Sequence, residues 1–256
     1  MKVIDMHAHI FCANGIEREK RVLLETIEAY GIERICISPL DGFYPDVDTV
    51  ENMNREAYLF AKEHSDKVSS YVYLSPEHEN SLDVLRRGIE DYGMIGAKVW
   101  VSERCDSPKM DRLAEALISY RKPLLIHSFK KSTCQVAQES TAVNVKALAE
   151  RYPELSIIMA HVDGNCYEGV ECIRCCPNVF VDVSGSTARR GEVEYAVRHL
   201  GEDRVMFGSD TTGCSFAIPL GKVLDADISK EAREKILYLN AIRLFGGFGG
   251  DACERS

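Results

Sequence analysis

The chain has 256 residues, 45% of them hydrophobic and 28% charged, a composition typical of globular proteins that excludes a disordered or fibrous one. This length is within the range that one hydrophobic core can support, so a single domain is the default. The formal net charge of −9 argues against a nucleic-acid partner, because affinity for phosphates comes mainly from Lys and Arg. A small-molecule substrate fits this charge balance better.

The N-terminal segment predicts no export signal. Asp5, His7 and His9 interrupt its apolar run too early for a signal-peptide core. No stretch is long enough to cross a bilayer, so no membrane partner is expected. Ten cysteines scattered through apolar segments of a chain this large favour reduced thiols over a disulfide framework, and we expect a cytoplasmic protein.

A short apolar run, a polar loop and an amphipathic stretch recur about every thirty residues, the pattern of alternating strands and helices. The predicted strands are Lys2–Met6, Arg34–Ser38, Val68–Leu74, Ile95–Val99, Pro123–Ile126, Leu155–Ala160, Val179–Val183 and Arg204–Phe207. The predicted helices are Glu17–Tyr30, Val50–His64, Ser81–Asp91, Met110–Tyr120, Val143–Tyr152, Glu192–Leu200 and Lys230–Phe245. These units predict an α/β domain over residues 1–245, a single (β/α)8 TIM barrel, although an open doubly wound sheet would give a similar pattern. Residues 246–256, rich in glycine, are predicted to form a flexible C-terminal tail.

Polar residues close four of the predicted strands, at the end where such a barrel forms its site. His7 and His9 follow the first strand, and a spacing of two residues places both side chains on one side, where they can share a cation. His127, His161 and Asp210 close the fifth, sixth and eighth strands. Zinc accepts imidazole and carboxylate ligands and lowers the pKa of a bound water toward neutrality. Any one histidine could be a hydrogen-bonded core residue, but their coincidence at strand ends favours a metal site.

Six motifs in chain order resemble the amidohydrolase superfamily, and its amidohydrolase-2 (amidohydrolase-related) branch in particular. They are Ile4-Asp5-Met6-His7-Ala8-His9, Ile95-Gly96-Ala97-Lys98, His127, Ala160-His161, Phe207-Gly208-Ser209-Asp210 and Asn240-Ala241-Ile242-Arg243-Leu244-Phe245-Gly246. The resemblance covers nearly the whole chain and is more specific for the fold and the metal site than for the substrate.

The resemblance implies a metal site whose ligands are His7, His9, His127 and Asp210. The cation is expected to be Zn²⁺, with Mn²⁺ and Fe²⁺ as alternatives. His161 would bind a second cation or orient the substrate and water. Asp210 would also accept a proton from the nucleophilic water and deliver it to the leaving group, so Asp210 and His161 are the expected catalytic residues.

Lys98 is open to two interpretations. By resemblance it is either carbamylated and bridges two cations, or remains an ammonium that binds a substrate carboxylate; one cation is favoured over two. Trp100 and Arg189 are further candidates for substrate binding, because aromatic walls shape pockets and Arg pairs with carboxylates. Lys130 and Lys131 lie in a similar loop and could equally be solvated charges.

Other polar and sulfur-containing residues have less decisive patterns. Asp5 and Asp182 could orient imidazoles, although an ordinary strand-end hydrogen bond is preferred for Asp182. Cys172, Cys175 and Cys176 form a C-x-x-C-C run that could bind a metal on a helix. A structural zinc site needs a second ligand pair that the nearby sequence does not provide, so half-buried thiols are the preferred interpretation.

The leading hypothesis for activity is hydrolysis of a C–N or C–O bond in a small amide, cyclic amide or lactone. The same branch contains nonoxidative decarboxylases of aromatic or unsaturated acids with much the same site, and the sequence does not separate the two. A metal-dependent deoxyribonuclease fits less well, because a Glu would be expected where Lys98 stands. A non-catalytic metal-binding barrel would be expected to lack Asp210. The oligomeric state stays open, with a homodimer as one alternative.

Overall fold

The computed structural model describes residues 1–248 of the chain. The strands are β1 Ile4–Phe11, β2 Arg34–Leu40, β3 Val68–Ser70, β4 Val72–Leu74, β5 Ala97–Val99, β6 Leu124–Ile126, β7 Ile157–Met159, β8 Val179–Asp182 and β9 Val205–Met206. The helices are α1 Ile16–Tyr30, α2 Val47–Glu63, α3 Ser81–Arg86, α4 Asp111–Tyr120, α5 Ala142–Arg151, α6 Cys166–Ile173, α7 Glu192–Leu200, α8 Ala217–Asp225, α9 Lys230–Glu234 and α10 Asn240–Phe245. Within residues 1–248, no helix is long and apolar enough to cross a membrane.

The strands form a closed parallel ring. Their order is β1-β2-β3 and then β4-β5-β6-β7-β8-β9, and the single residue Tyr71 separates β3 from β4, which together act as one bent strand. The ring closes between β1 and the end of β9, where Met6 N donates to Phe207 O at 3.0 Å and Ala8 forms a parallel bridge with Thr211. The predicted α/β TIM barrel is therefore confirmed.

Apolar side chains fill the inside of the ring and the space between strands and helices. Leu125 is in register with Lys98, whose amine reaches His7 across the barrel, so this row of side chains faces inward. Outside the ring, Leu23 and Ile27 of α1 are buried at the helical spacing of four residues. The core therefore has the two layers expected of a barrel surrounded by helices.

Several element boundaries differ from the sequence prediction, and two of these differences have an identifiable cause. Helix α2 begins at Val47 rather than Val50, because the Asp46 carboxylate accepts a hydrogen bond from Thr49 N at 2.8 Å and caps the helix. Strand β1 continues past the predicted end to Phe11, since it stays paired with β2 along this length. The predicted strand ended at Met6, whereas the structure continues it through His7 and His9, which are both buried.

A long segment that follows a barrel strand is often a lid over the site, but the segment Thr211–Ile228 contains helix α8. Pro219 stands in the first turn of α8, where the missing N–H is tolerated, and it masked the helix in the sequence. Val223 of α8 is fully buried in the outer core. This part of the segment is thus an integral layer of the barrel.

The last described residues pack against the bottom of the barrel. Gly246 has a φ of 70° and ends α10 in the left-handed conformation. Phe248 is buried, with its ring 5.3 Å from that of Phe245 and the Arg34 guanidinium 5.0 Å from its centre. Residues 249–256, most of the tail predicted to be flexible, lie outside the described residues.

Candidate metal centre and active site

Strand β1 brings two histidines together at the carboxyl end of the barrel. Its register on β2 shifts between Asp5 and Ala8, which marks a local bulge at the first histidine. His7 Nε2 and His9 Nε2 lie 2.9 Å apart, with the two rings nearly perpendicular. Two ring nitrogens this close can reach one shared cation.

Asp210 and His161 converge on the same point from the opposite side. Asp210 Oδ1 lies 3.1 Å from His9 Nε2 and 3.9 Å from His7 Nε2. His7, His161 and Asp210 each present a ligand atom within 4.8 Å of the others. Asp210 and His161 have left-handed φ values of 66° and 59°, which are strained for these residues and are found where a site over-determines the backbone.

Each of three imidazoles has a partner on the nitrogen that faces away from this point. His7 Nδ1 donates to Asp182 Oδ2 at 2.8 Å. His9 Nδ1 lies 2.8 Å from Ser38 Oγ, and His161 Nδ1 lies 2.8 Å from Ser184 Oγ. These contacts fix ring orientation and leave Nε2 directed inward. For Asp182, the structure therefore places the carboxylate where it orients an imidazole, which was the less favoured interpretation.

Asp5 lies beneath the histidines and does not contact an imidazole. Its carboxylate accepts hydrogen bonds from His7 N at 3.1 Å, Ser209 N at 2.9 Å and Ser209 Oγ at 2.5 Å. Burial raises the pKa of Asp5 to about 7, although these hydrogen bonds oppose the shift. Asp5 thus joins the first strand to the last segment of the ring.

His127 lies at the rim of the group. Its Nδ1 is 3.2 Å from His161 Nε2, and its Nε2 is 2.9 Å from Glu139 Oε1. The Lys131 ammonium lies 2.8 Å from the other Glu139 oxygen. Lys131 therefore forms an ion pair with Glu139, a buried carboxylate that could not be recognised as part of the site from the sequence.

Lys98 is fully buried at the floor of the site, with Nζ 3.1 Å from His7 Nε2. Burial lowers the pKa of Lys98 to about 8, against the opposing influence of the Asp210 and Asp182 charges. A buried amine of this kind is reactive as a base and also compensates nearby carboxylates. Both interpretations of Lys98 are compatible with this position.

A cavity of about 280 Å³ opens above the histidines. Phe43, Trp100 and Phe129 line it together with His161 and Asp210. The Phe43 and Trp100 rings meet edge to face at 5.2 Å, which stiffens this wall. The sequence-predicted Trp100 is thus brought to the site.

Arg189 is not brought to the same place. It lines a separate cavity of about 420 Å³ with residues of α7 and α8, among them Val193 and Lys222. The loop after β8 turns outward at this point. Arg189 therefore follows a barrel strand, as predicted, but does not lie over the histidines. Cys214, which the sequence analysis missed, does line the site cavity, and its thiol donates to Asp210 Oδ2 at 3.3 Å.

The protonation states of the site suit a divalent cation. Burial lowers the pKa of His9 to about 4 and also lowers the pKa of His127 and, more strongly, of His161. Burial alone would raise the pKa of Asp210, but the electrostatic interaction with His161 and the hydrogen bond with His9 outweigh it and hold that pKa well below its usual range. Neutral imidazoles and an anionic carboxylate are the forms that bind metals, so the donor set fits the cation.

Buried imidazoles and a carboxylate at the carboxyl ends of barrel strands define a metal-dependent class of TIM-barrel enzyme. The amidohydrolase family model matches residues 4–247, and the chain belongs to this family. The resemblance inferred from the sequence motifs is thereby confirmed. No curated protein matches the chain.

Solved structures with the same fold include enzymes of different reaction types. A 2,6-dihydroxybenzoate decarboxylase from Rhizobium is 18% identical with a TM-score of 0.78, over 96% of this chain and 98% of that one. A dihydroxybenzoic acid decarboxylase from a Polaromonas species, with bound manganese and the inhibitor 2-nitroresorcinol, is 18% identical with a TM-score of 0.77, over 96% of each chain. A 4-oxalomesaconate hydratase from Rhodopseudomonas palustris is 16% identical with a TM-score of 0.70, over 95% of each chain. At these identities the likeness concerns the fold.

Proposed function

We propose that the protein is a metal-dependent decarboxylase of a small aromatic or unsaturated carboxylic acid. The observation that carries this proposal is the cavity of about 280 Å³ walled by Phe43, Trp100 and Phe129. Its volume suits a single ring, its apolar walls suit a planar substrate, and its floor of His161 and Asp210 suits a polar substituent. The similar structures named as dihydroxybenzoate decarboxylases support the same substrate class.

The proposed cation is a single divalent ion held by His7, His9 and Asp210, with His161 or His127 completing the set. Imidazole and carboxylate ligands suit Zn²⁺, and Mn²⁺ is the alternative, because the Polaromonas structure contains manganese. Bound there, the cation would supply Lewis-acid chemistry by polarising a substrate oxygen and neutralising its charge.

The residues around the cavity would transfer the proton, exclude water and balance charge. Decarboxylation breaks the bond between the ring and the carboxyl carbon, and a proton must replace the carboxyl group. Asp210, whose side chain is 19% exposed toward the cavity, can take a proton from a substrate hydroxyl and return it to the ring carbon. Trp100 and Phe129 keep bulk water from the ring, and Lys98, as an ammonium, balances the buried carboxylates.

The experiment is product analysis on the purified protein loaded with Zn²⁺ or Mn²⁺. Benzoates with neighbouring hydroxyl groups, labelled at the carboxyl carbon, form one arm; small lactones and cyclic amides form the other. The proposal expects labelled carbon dioxide from the first arm, with loss of the signal after chelation. Ring opening in the second arm without carbon dioxide from the first would contradict it.

Hydrolysis of an amide or lactone remains the second candidate. The observation in its favour is that Asp210 Oδ1 lies 3.1 Å from His9 Nε2, where a carboxylate can accept a proton from water held beside the imidazoles. The two-cation version of either reaction requires a carbamylated Lys98. Metal analysis giving two equivalents, together with a mass increase of one carbamate on Lys98, would establish that version.

A further inference from the structure

A second group of metal-binding side chains lies outside the barrel, where α5 and α6 end. Cys175 Sγ and Cys176 Sγ are 3.8 Å apart, and the Glu150 carboxylate of α5 comes within 4.8 Å of both. We refer to Glu150, Cys175 and Cys176 as the thiol cluster. It is separate from the histidine site and plays no part in the proposed reaction.

The spacing of the two sulfurs matches tetrahedral zinc coordination. A zinc–sulfur bond of about 2.3 Å gives two tetrahedral sulfur ligands a separation of about 3.8 Å. The sulfurs of Cys175 and Cys176 already have this separation. A cation between them would therefore require little rearrangement of either side chain.

The backbone that carries the thiols is held in place from both sides. The Arg204 guanidinium donates to Ile173 O at 3.1 Å and to Val179 O at 2.8 Å, on either side of the cysteines. The Asn178 side-chain amide donates to Ala149 O at 3.3 Å and also to two carbonyls that follow α5. These bonds fix the thiol-bearing turn against the end of α5, which preorganises the cluster.

The sequence argued against a metal here because it offers no second pair of ligands near the cysteines. However, folding brings Glu150 from the preceding helix. Water can complete the coordination. A carboxylate and two thiols form a set that soft divalent cations prefer over Mg²⁺ or Ca²⁺.

We propose that Glu150, Cys175 and Cys176 bind a thiophilic divalent cation, Zn²⁺ or Cd²⁺, which links the end of α5 to the turn after α6. On binding, each of the two thiols releases its proton to the solvent and forms a bond to the cation. Lys146, one turn before Glu150, is a cationic group beside the carboxylate. Its ammonium is 3.7 Å from the Glu150 carboxylate at an exposed position, so it can turn into solvent when the cation binds.

Cadmium is the probe for the test, because a sulfur-to-cadmium charge-transfer absorption reports thiolate ligands directly, whereas the ligands proposed for the histidine site are imidazoles and a carboxylate. Cys214, whose thiol lies beside Asp210, is replaced by Ser in every protein tested, so that a band cannot come from that site. The full chain is reduced, freed of reductant and titrated with Cd²⁺ while absorption and melting temperature are followed. The variants are Cys175→Ser with Cys176→Ser, Cys175→Ser alone, and Glu150→Gln. Cys134→Ser, which removes another exposed thiol, is the matched control.

The Cys214→Ser parent and the control are expected to show a saturable band and a rise in melting temperature with Cd²⁺. The double variant should lose the band, and Glu150→Gln should weaken binding about tenfold, the scale of one lost charged contact. Cys175→Ser alone, at an exposed position that leaves the buried Cys176 packing intact, should weaken it at least as much. A band of unchanged amplitude in the double variant, or no band in the parent, would overturn the proposal, while the decarboxylation assay is independent of both.

Discussion

Two layers of the same barrel are equally buried and are stabilised in opposite ways. In the lower layer, Leu125 and Ile158 belong to a cluster of apolar side chains inside the ring. In the upper layer, His7, Lys98 and Asp182 are fully buried and contact one another through polar atoms. Burying a charge without a partner costs far more than burying a methyl group gains. The difference indicates that the lower layer supplies folding free energy, whereas the upper layer is arranged around a ligand.

The largest expected effect comes from replacing Asp210, the proposed acid–base group of the upper layer. Asp210→Asn keeps the size of the side chain but removes its ability to accept a proton, so the rate of the reaction should fall by about 10² to 10⁴. Steady-state kinetics on the substrate identified by product analysis measures this. Unchanged circular dichroism is the control, and a rate within a few-fold of wild type would exclude Asp210 as the proton carrier.

The next largest effect comes from a substitution in the lower layer, which should reduce stability and leave the metal site intact. Leu125→Ala leaves a cavity inside the ring, and the free energy of unfolding should fall by about 2–5 kcal/mol. Denaturant titration gives the value. The metal content of the folded variant should equal that of wild type; loss of metal alongside stability would show that the two layers are not separable.

A smaller effect sharpens the comparison within the upper layer. Asp182→Asn weakens the acceptor on His7 Nδ1, so the affinity for the proposed cation should fall by about 10- to 100-fold. Competition with a chelator of known affinity measures it. Asp163→Asn, a buried carboxylate in the loop after β7 that accepts from Ser128 and Ala142 N, is the matched control and should leave metal affinity unchanged.

The smallest effect concerns the rim. Glu139→Gln keeps an acceptor for His127 but removes the charge that also holds Lys131, so metal affinity should fall by less than in Asp182→Asn, within about tenfold. Comparison of the two variants in one chelator titration orders them. A larger loss in Glu139→Gln would place the dominant orienting contact on His127 instead of His7.

The sequence predicts the parts of the site that follow from strand periodicity. His7, His9, His161 and Asp210 close apolar runs, and a barrel necessarily gathers such residues at one end. Ser184 was missed, although it stands two residues beyond Asp182 and the same alternation could have found it. The alternation of side chains along a strand is therefore sufficient to predict a site residue that belongs to a strand or follows it directly.

Residues on loops were not predictable in this way. Glu139 reaches His127 because the loop after β6 folds back, and no local pattern marks that path. Arg189 was expected at the substrate but lines another cavity, since the loop after β8 turns outward. Glu150 joins two cysteines only through the packing of α5 on α6. In each case the contact depends on tertiary packing and not on periodicity.

The bond between Asp5 and Ser209 joins residues 204 positions apart in the chain. His7 and Asp210 flank this junction, so the first and the last strands to be made each supply a ligand of the proposed cation. A chain cut before residue 209, or one whose synthesis has not reached it, contains His7 and His9 but lacks Asp210. With the proposed ligand set, full coordination of the cation therefore requires the completed polypeptide.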